Sequence, residues 1–302
     1  MRKYNIDFLG HRNIMFAISA VLIVISIAAL AVRGLTFGVE FQGGTVIDIV
    51  NSAGVTESEL RDALEEAGIA DASIQVTTGQ DSKGFIVRTA VTDPDEATAQ
   101  VAVVVKVVGL PEGSYQVTTI GPGWGANVTN RALLALALSI AAILLYISLR
   151  FEYKMSITAV IALIHDILIT LGIYALLGAE VTPNTIAALL TILGYSLYDT
   201  VVVFHRIKEN SHSIAKKTFM QMANESINEV IVRTMNTSIT SLIPVLMMLF
   251  FGGATLYDFA LALTIGIIIG TYSSIGVATP VYVMWKETEP KFAALKKKYA
   301  QA

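Results

Sequence analysis

The chain has 302 residues, of which 54% are hydrophobic and only 15% charged, with a mean hydropathy of +0.64 and a formal net charge of −3. Soluble domains carry nearer a quarter charged residues, so this balance excludes an ordinary globular protein and points to a polytopic α-helical membrane protein. The absence of cysteine excludes disulfide frameworks, thiolate metal sites and thiol nucleophiles.

Met1–Asn13 is basic, with Arg2, Lys3 and Arg12, and the apolar run Ile14–Val32 follows it. A cleaved leader is the rival reading, since Ala29-Leu30-Ala31 resembles a cleavage site, but the run is longer than a usual leader core. Residues 14–32 are therefore read as a first transmembrane helix, with residues 1–13 cytoplasmic.

Residues 33–129 change character, because acids there far outnumber bases. The pattern reads strand (Val39–Val50), helix (Glu57–Ala67), strand (Ser73–Thr78), strand (Gly84–Val91), helix (Pro94–Val107) and strand (Ser114–Ile120). Thr56 with Glu59 forms a capping box for the first helix. The order β-α-β-β-α-β is that of a ferredoxin-like α+β domain placed between the first two membrane helices. The β-branched run Val101–Val108 makes the second helix the weaker expectation.

Five further spans fall near Leu133–Leu149, Ile157–Leu177, Thr185–Phe204, Met235–Phe251 and Phe259–Met284. Residues 130–285 thus hold helices two to six, with a linker over 205–233 and a basic tail over 286–302. Arg150 and Lys154, the linker and the tail carry the basic residues, whereas the other connections hold only Glu180 and Asp258. The positive-inside rule then predicts both termini cytoplasmic and residues 33–129 extracytoplasmic. The amphipathic stretch Ile214–Val232 fits either a surface helix on the membrane or a connecting helix under the bundle. The tail lysines suit contact with anionic membrane lipids.

The chemistry centres on Leu189–Asn210, where Asp199 sits among apolar neighbours shortly before His205, Arg206 and Lys208. A charge at bilayer depth costs roughly 2.5–3.5 kcal/mol on insertion scales, so the default expectation for Asp199 is function. Arg233 is the candidate cation for it, and His165-Asp166 adds a second titratable pair. Proton handling competes with a static ion pair at Asp199, and with a plain hydrogen-bonded interior histidine at His165. Gly266-x-x-x-Gly270 marks close helix packing. Gly43-Gly44 and Gly121–Gly125 read as turn or hinge chemistry. No nucleotide-binding loop, metalloprotease or hydrolase motif, or basic aromatic patch for nucleic acid is present, so neither enzyme chemistry nor a cofactor is expected.

Several stretches taken together resemble the SecF family, the smaller integral subunits of bacterial SecD–SecF complexes. They are Gly34–Gly44 (GLTFGVEFQGG), Phe151–Met155, Ala162–Asp166 (ALIHD), Gly194–Phe204 (GYSLYDTVVVF), Arg206–Asn210 (RIKEN), Arg233-Thr234, and Phe251–Ala260 with Gly252-Gly253. The resemblance runs in order over nearly the whole chain. It implies the resistance–nodulation–division design, with SecD as partner, the SecYEG translocon and YajC or YidC nearby, and an unfolded preprotein as substrate. On that model Asp199 and Arg233 match the family's intramembrane acid and basic partner in a proton path that promotes late, ATP-independent translocation in the bacterial cytoplasmic membrane. Two departures stand out: Glu40 replaces the more usual Asp before the Gly43-Gly44 pair, and His205 replaces an Asp before Arg206. A proton-driven small-molecule or lipid exporter of the same superfamily and a non-conducting assembly factor are the competing functions.

Overall fold

The computed structural model describes residues 5–50, 54–69, 71–78, 83–214 and 216–299; Arg2 and Lys3 lie outside them. The first long helix, α1 (Arg12–Val32), leads through the two-residue strand β1 (Thr36–Phe37) into a single helical turn, α2 (Val39–Gln42). An unbroken strand over Val39–Val50 was the expectation, and the glycines explain the difference. Gly43 has φ +83 and Gly44 φ +142, a corner that L side chains rarely adopt, so the chain turns there before the strand starts. A Cβ on Gly44 would also stand 2.3 Å from the Thr89 carbonyl oxygen.

The α+β unit follows as β2 (Gly44–Val50), α3 (Glu57–Glu66), β3 (Ser73–Thr78), β4 (Lys83–Thr89), α4 (Pro94–Val108) and β5 (Tyr115–Ile120). The strands form one antiparallel sheet in the order β3-β4-β2-β5. The α3 capping box is formed, with Thr56 accepting from the Glu59 amide and the Glu59 carboxylate accepting from the Thr56 amide. Despite its β-branched run, α4 is a full helix. Asp93 caps it, Pro94 opens it and left-handed Gly109 ends it, while Ala97, Val101 and Val104 face the core. Ile47, Ile49, Phe85 and Val87 of the sheet pack on Leu60 and Leu64 of α3 to make that core.

The remaining helices are α5 (Pro122–Arg150), α6 (Tyr153–Leu177), α7 (Pro183–Ser211), α8 (Phe219–Phe251) and α9 (Gly253–Ser273). A π-helical turn over Ser274–Ala278 leads into α10 (Thr279–Lys286), and α11 (Pro290–Tyr299) closes the chain. A sixth strand, β6 (Glu180–Val181), precedes α7 and pairs in parallel with β1. Six helical stretches are long and apolar enough to cross a membrane: Arg12–Val32, Gly123–Arg150, Tyr153–Leu177, Pro183–Ser211, Phe219–Phe251 and Leu256–Lys286. The protein is thus predominantly helical and multi-pass.

Two expectations change at this level. Gly121–Gly125 is no loop, because α5 starts at Pro122 and runs straight through it. Gly125 is where α5 meets α2: a Cβ there would lie 2.4 Å from the Phe41 carbonyl oxygen. The linker 205–233 is not a separate segment either. α7 continues to Ser211, and α8 takes in the amphipathic stretch from Phe219 onward, burying Phe219, Met222, Ala223, Ile227 and Ile231 in the bundle core. The packed reading therefore replaces the membrane-surface one.

Candidate functional site

The site is a layer of acids and hydroxyls inside the bundle, built by small residues that let the helices approach. Gly172 of α6 lies against Ser26 of α1, where a Cβ would come within 2.2 Å of the serine Cβ. One heptad back along both helices, His165 therefore meets Ser19, with Nε2 and Oγ 3.2 Å apart. On the other side Gly270 of α9 rests on Ser196 of α7, whose Cβ would be 2.8 Å from an added methyl. That contact lets Ser196 and Ser273 converge on one oxygen of Asp166, donating to Oδ2 at 2.6 and 2.9 Å. The π turn beginning at Ser274 widens the helix at this point; such turns favour functional sites. The Ser274 hydroxyl lies 2.9 Å from that of Thr200.

Asp166 is fully buried and His165 nearly so. The other oxygen of Asp166, Oδ1, lies 3.0 Å from His165 Nδ1. Beyond Ser19 the chain of contacts continues to the Tyr272 hydroxyl at 2.9 Å, which donates to the Met15 carbonyl at 2.6 Å. One chain of polar contacts thus runs from Asp166 through His165, Ser19 and Tyr272 to the backbone of α1.

Asp199 lies in a second polar group on the same layer. It is buried, and its Oδ2 has no hydrogen-bond partner among the described residues. The polar groups acting on it, Ser238 and Arg233, both belong to α8. Ser238 lies 2.7 Å from the Thr271 hydroxyl of α9. Arg233 makes no ion pair with Asp199 among the described residues. Its guanidinium lies on the exposed face of α8, donates to the Tyr198 hydroxyl at 2.6 Å and covers the Tyr198 ring at 5.9 Å. Asp199, Asp166 and His165, singled out in the sequence, are buried, whereas Arg233, read there as the cation for Asp199, acts on it without forming an ion pair. Ser19, Ser196, Ser273 and Tyr272 were missed as partners; serine after a GxxxG pattern was the only available signal, and it read as packing.

The other sequence-marked residues serve packing and anchoring. Gly266 abuts Ile192, and Gly194 faces open space. Gly252 ends α8, and Gly253 (φ +70) turns the chain into α9. Arg206 pairs with Glu229 at 2.5 Å and Glu209 at 3.0 Å, and Asn210 donates to Ser226 and Glu229, so the Arg206–Asn210 motif clamps the end of α7 onto α8. His205 lies 3.8 Å from Glu209 on an exposed surface. Glu40 folds back over Gly38 beside Thr182.

A six-span bundle with an α+β unit after the first span and a buried acid layer defines a class of multi-pass membrane proteins. The particular family follows from sequence and fold together. Residues 100–288 match the family model of the protein export membrane protein SecD/SecF, C-terminal, and residues 28–49 match the SecD/SecF GG motif. The protein translocase subunit SecF of Streptomyces coelicolor is 40% identical, covering 97% of this chain and 80% of that one. The SecF subunit of Thermodesulfovibrio yellowstonii is 42% identical over 93% of this chain and 95% of its own. Crystal structures of SecDF superpose with TM-scores of 0.84, for the translocon-associated protein from Thermus thermophilus, and 0.71, for a super-membrane-facing form. Their identities are 33% and 32% over 94% and 98% of this chain, which spans only 39% and 41% of those chains. The chain belongs to the SecF family of protein translocase subunits.

Proposed function

We propose that this subunit pairs with SecD and, beside the SecYEG translocon with YajC or YidC, uses the proton-motive force to promote late, ATP-independent steps of preprotein translocation. The observation that carries the reading is the buried acid layer, in which Asp166 meets His165 at 3.0 Å and Asp199 keeps an oxygen with no hydrogen-bond partner among the described residues. Neither arrangement is what a merely structural ion pair requires, and both suit groups that load and release protons. The subunit acts through conformational coupling rather than as an enzyme. Both termini are cytoplasmic and the α+β unit, a ferredoxin-like module, is extracytoplasmic; the basic ends of the helices support that orientation. The exporter alternative calls for an apolar cleft in or beside that unit. An apolar groove of about 510 Å³ follows the outer face of α1, from Asn13 to Leu22.

The test is gradient-dependent completion of export in membrane vesicles carrying wild type or Asp199→Asn, with assembly onto SecD measured in the same samples. Normal assembly with loss of the gradient-dependent part is the expected result. Assembly and gradient-driven export both surviving would remove Asp199 from the coupling path.

A further inference from the structure

The α+β unit touches the bundle through charge. Arg88 of β4 reaches Glu180 of β6, with Nε 2.9 Å from Oε2, and both side chains are nearly buried. The partners sit on different bodies: Arg88 is in the sheet of the α+β unit, and Glu180 is in the connection between two membrane helices. Ser73 of β3 adds a hydrogen bond to Glu180 at 3.3 Å, and Gln75 accepts from Arg88 at 3.0 Å. Glu180 also pairs in register with Thr36 through the β1–β6 ladder, two residues ahead of the Thr182 cap of α7.

This junction is not a balanced ion pair. Two further carboxylates act on the same place: Asp258, at the start of the last span and faced by the Thr182 hydroxyl, and Glu40, in the turn before the double glycine. The Glu40 Oε2 is buried and has no hydrogen-bond partner among the described residues; Arg88 Nε and Glu180 Oε2 are close enough for charge attraction but not aligned as a hydrogen bond. From the elements packed around Glu180, the charged groups facing it are therefore one cation, from β4, and two anions, from α2 and α9. With Glu180 itself, three carboxylates share one guanidinium away from water.

We infer that Arg88, Glu180, Asp258 and Glu40 form a proton-operated latch that docks the α+β unit on the bundle when it takes up a proton and loosens that docking when it loses one. Excess negative charge in a desolvated junction repels itself, and one proton relieves it while leaving the Arg88 pair in place. Consistent with this, burial raises the Glu180 carboxyl above its usual value although Arg88 works against the shift. A carboxyl raised in the docked state binds its proton more tightly there than when undocked. Docking is then strongest below the undocked value and weakens as pH rises through the docked one. An ordinary Arg–carboxylate tether has the opposite sign and loosens in acid. Because Glu180 leads directly into α7, the helix that carries Asp199, docking bears on the top of that helix.

The experiment uses the full chain in lipid nanodiscs with the same pH on both faces, so neither a gradient nor an orientation enters. The chain has no cysteine of its own, so Glu65→Cys on α3 and Leu177→Cys on α6, both exposed, report a single distance by pulsed electron resonance. The expected result is a narrow distance near pH 5 that broadens towards about pH 8. Glu180→Gln should stay narrow across the range, whereas Arg88→Gln should need a pH lower by about one unit to dock. Asp199→Asn should leave the response intact, which separates the latch from the intramembrane acid. A distance that ignores pH, or that broadens in acid, overturns the latch. So does Glu180→Gln behaving like Arg88→Gln, which would mark a static tether, or a response that vanishes with Asp199→Asn.

Discussion

A carboxylate inside a helical bundle is only as stable as the donors that meet it, and the two intramembrane acids differ sharply in this respect. Asp166 accepts from Ser196 and Ser273 and lies 3.0 Å from His165 Nδ1. Asp166→Leu leaves the two serine hydroxyls without that acceptor, at a cost of about 1–3 kcal/mol each. The melting temperature of the purified protein should fall by about 5 °C. Asp199 has an oxygen with no hydrogen-bond partner among the described residues, so Asp199→Asn forfeits no strong contact at that atom and should melt within about 1 °C of wild type or slightly above it. Thermal unfolding of the two variants side by side checks this. Equal losses would mean that Asp199 is a structural anchor like Asp166, and the coupling role would pass to Asp166 and His165. The two acids were visible in the sequence because a charge in an apolar run stands out. Their hydroxyl partners were not, since serines and tyrosines are ordinary in spans and Ser19 is 146 residues from His165.

At the scale of elements, small residues decide where helices touch and therefore where the polar layer forms. Gly266 and Gly270 were legible as a packing pair, and they do lie against Ile192 and Ser196 of α7. Gly172 with Ser26 does the same work for α1 and α6 without any spacing motif, because its meaning lies on the other helix. Gly121–Gly125 suggested a loop because glycine is a poor helix former; within α5 the close approach to Phe41 accounts for Gly125, whereas Gly121 and Gly123 meet nothing within 4 Å. The Asn224 and Asn228 amides, which hold the backbone of Ile6 against α8, were equally invisible, since nothing local ties residue 6 to residue 228. The glycine argument predicts a coupled pair. Gly266→Ala drives a methyl into Ile192 and should destabilise by about 1–3 kcal/mol. In an Ile192→Ala background that penalty should largely disappear, giving a coupling of more than about 0.5 kcal/mol in a double-mutant cycle read by chemical denaturation. Gly194→Ala, which meets nothing, should instead stabilise by about 0.5–1 kcal/mol. Additive effects at Gly266 and Ile192 would show that the α7–α9 contact yields freely and does not hold the site.

Over the whole molecule, burial is distributed so unevenly that the bundle has an inside made by three spans and an outside made by the others. The last span is 72% buried, whereas those in α8 and α5 are only 11% and 6% buried. The outer face of α5 is what lipid wants: Leu134, Leu138 and Leu145 are exposed. The outer face of α8 is different. Arg233, Asn236 and Thr240 are exposed there, one turn apart. From Arg233 to the end of α8 at Phe251 is 18 residues, about 27 Å of helix, so Asn236 and Thr240 fall within a hydrocarbon core about 30 Å thick. Amides and hydroxyls are poor lipid neighbours and good helix–helix glue, so this face should meet the proposed SecD partner while α5 faces lipid. Single cysteines at Asn236→Cys and Leu138→Cys, each carrying a photo-crosslinker, can be compared in membranes that also contain SecD. The α8 position should give a strong SecD adduct and the α5 position little or none. The reverse pattern would place SecD against the apolar face and make the polar stripe of α8 a hydrated groove. Arg233 would then stand at the mouth of a water path to Asp199 instead of at a subunit contact.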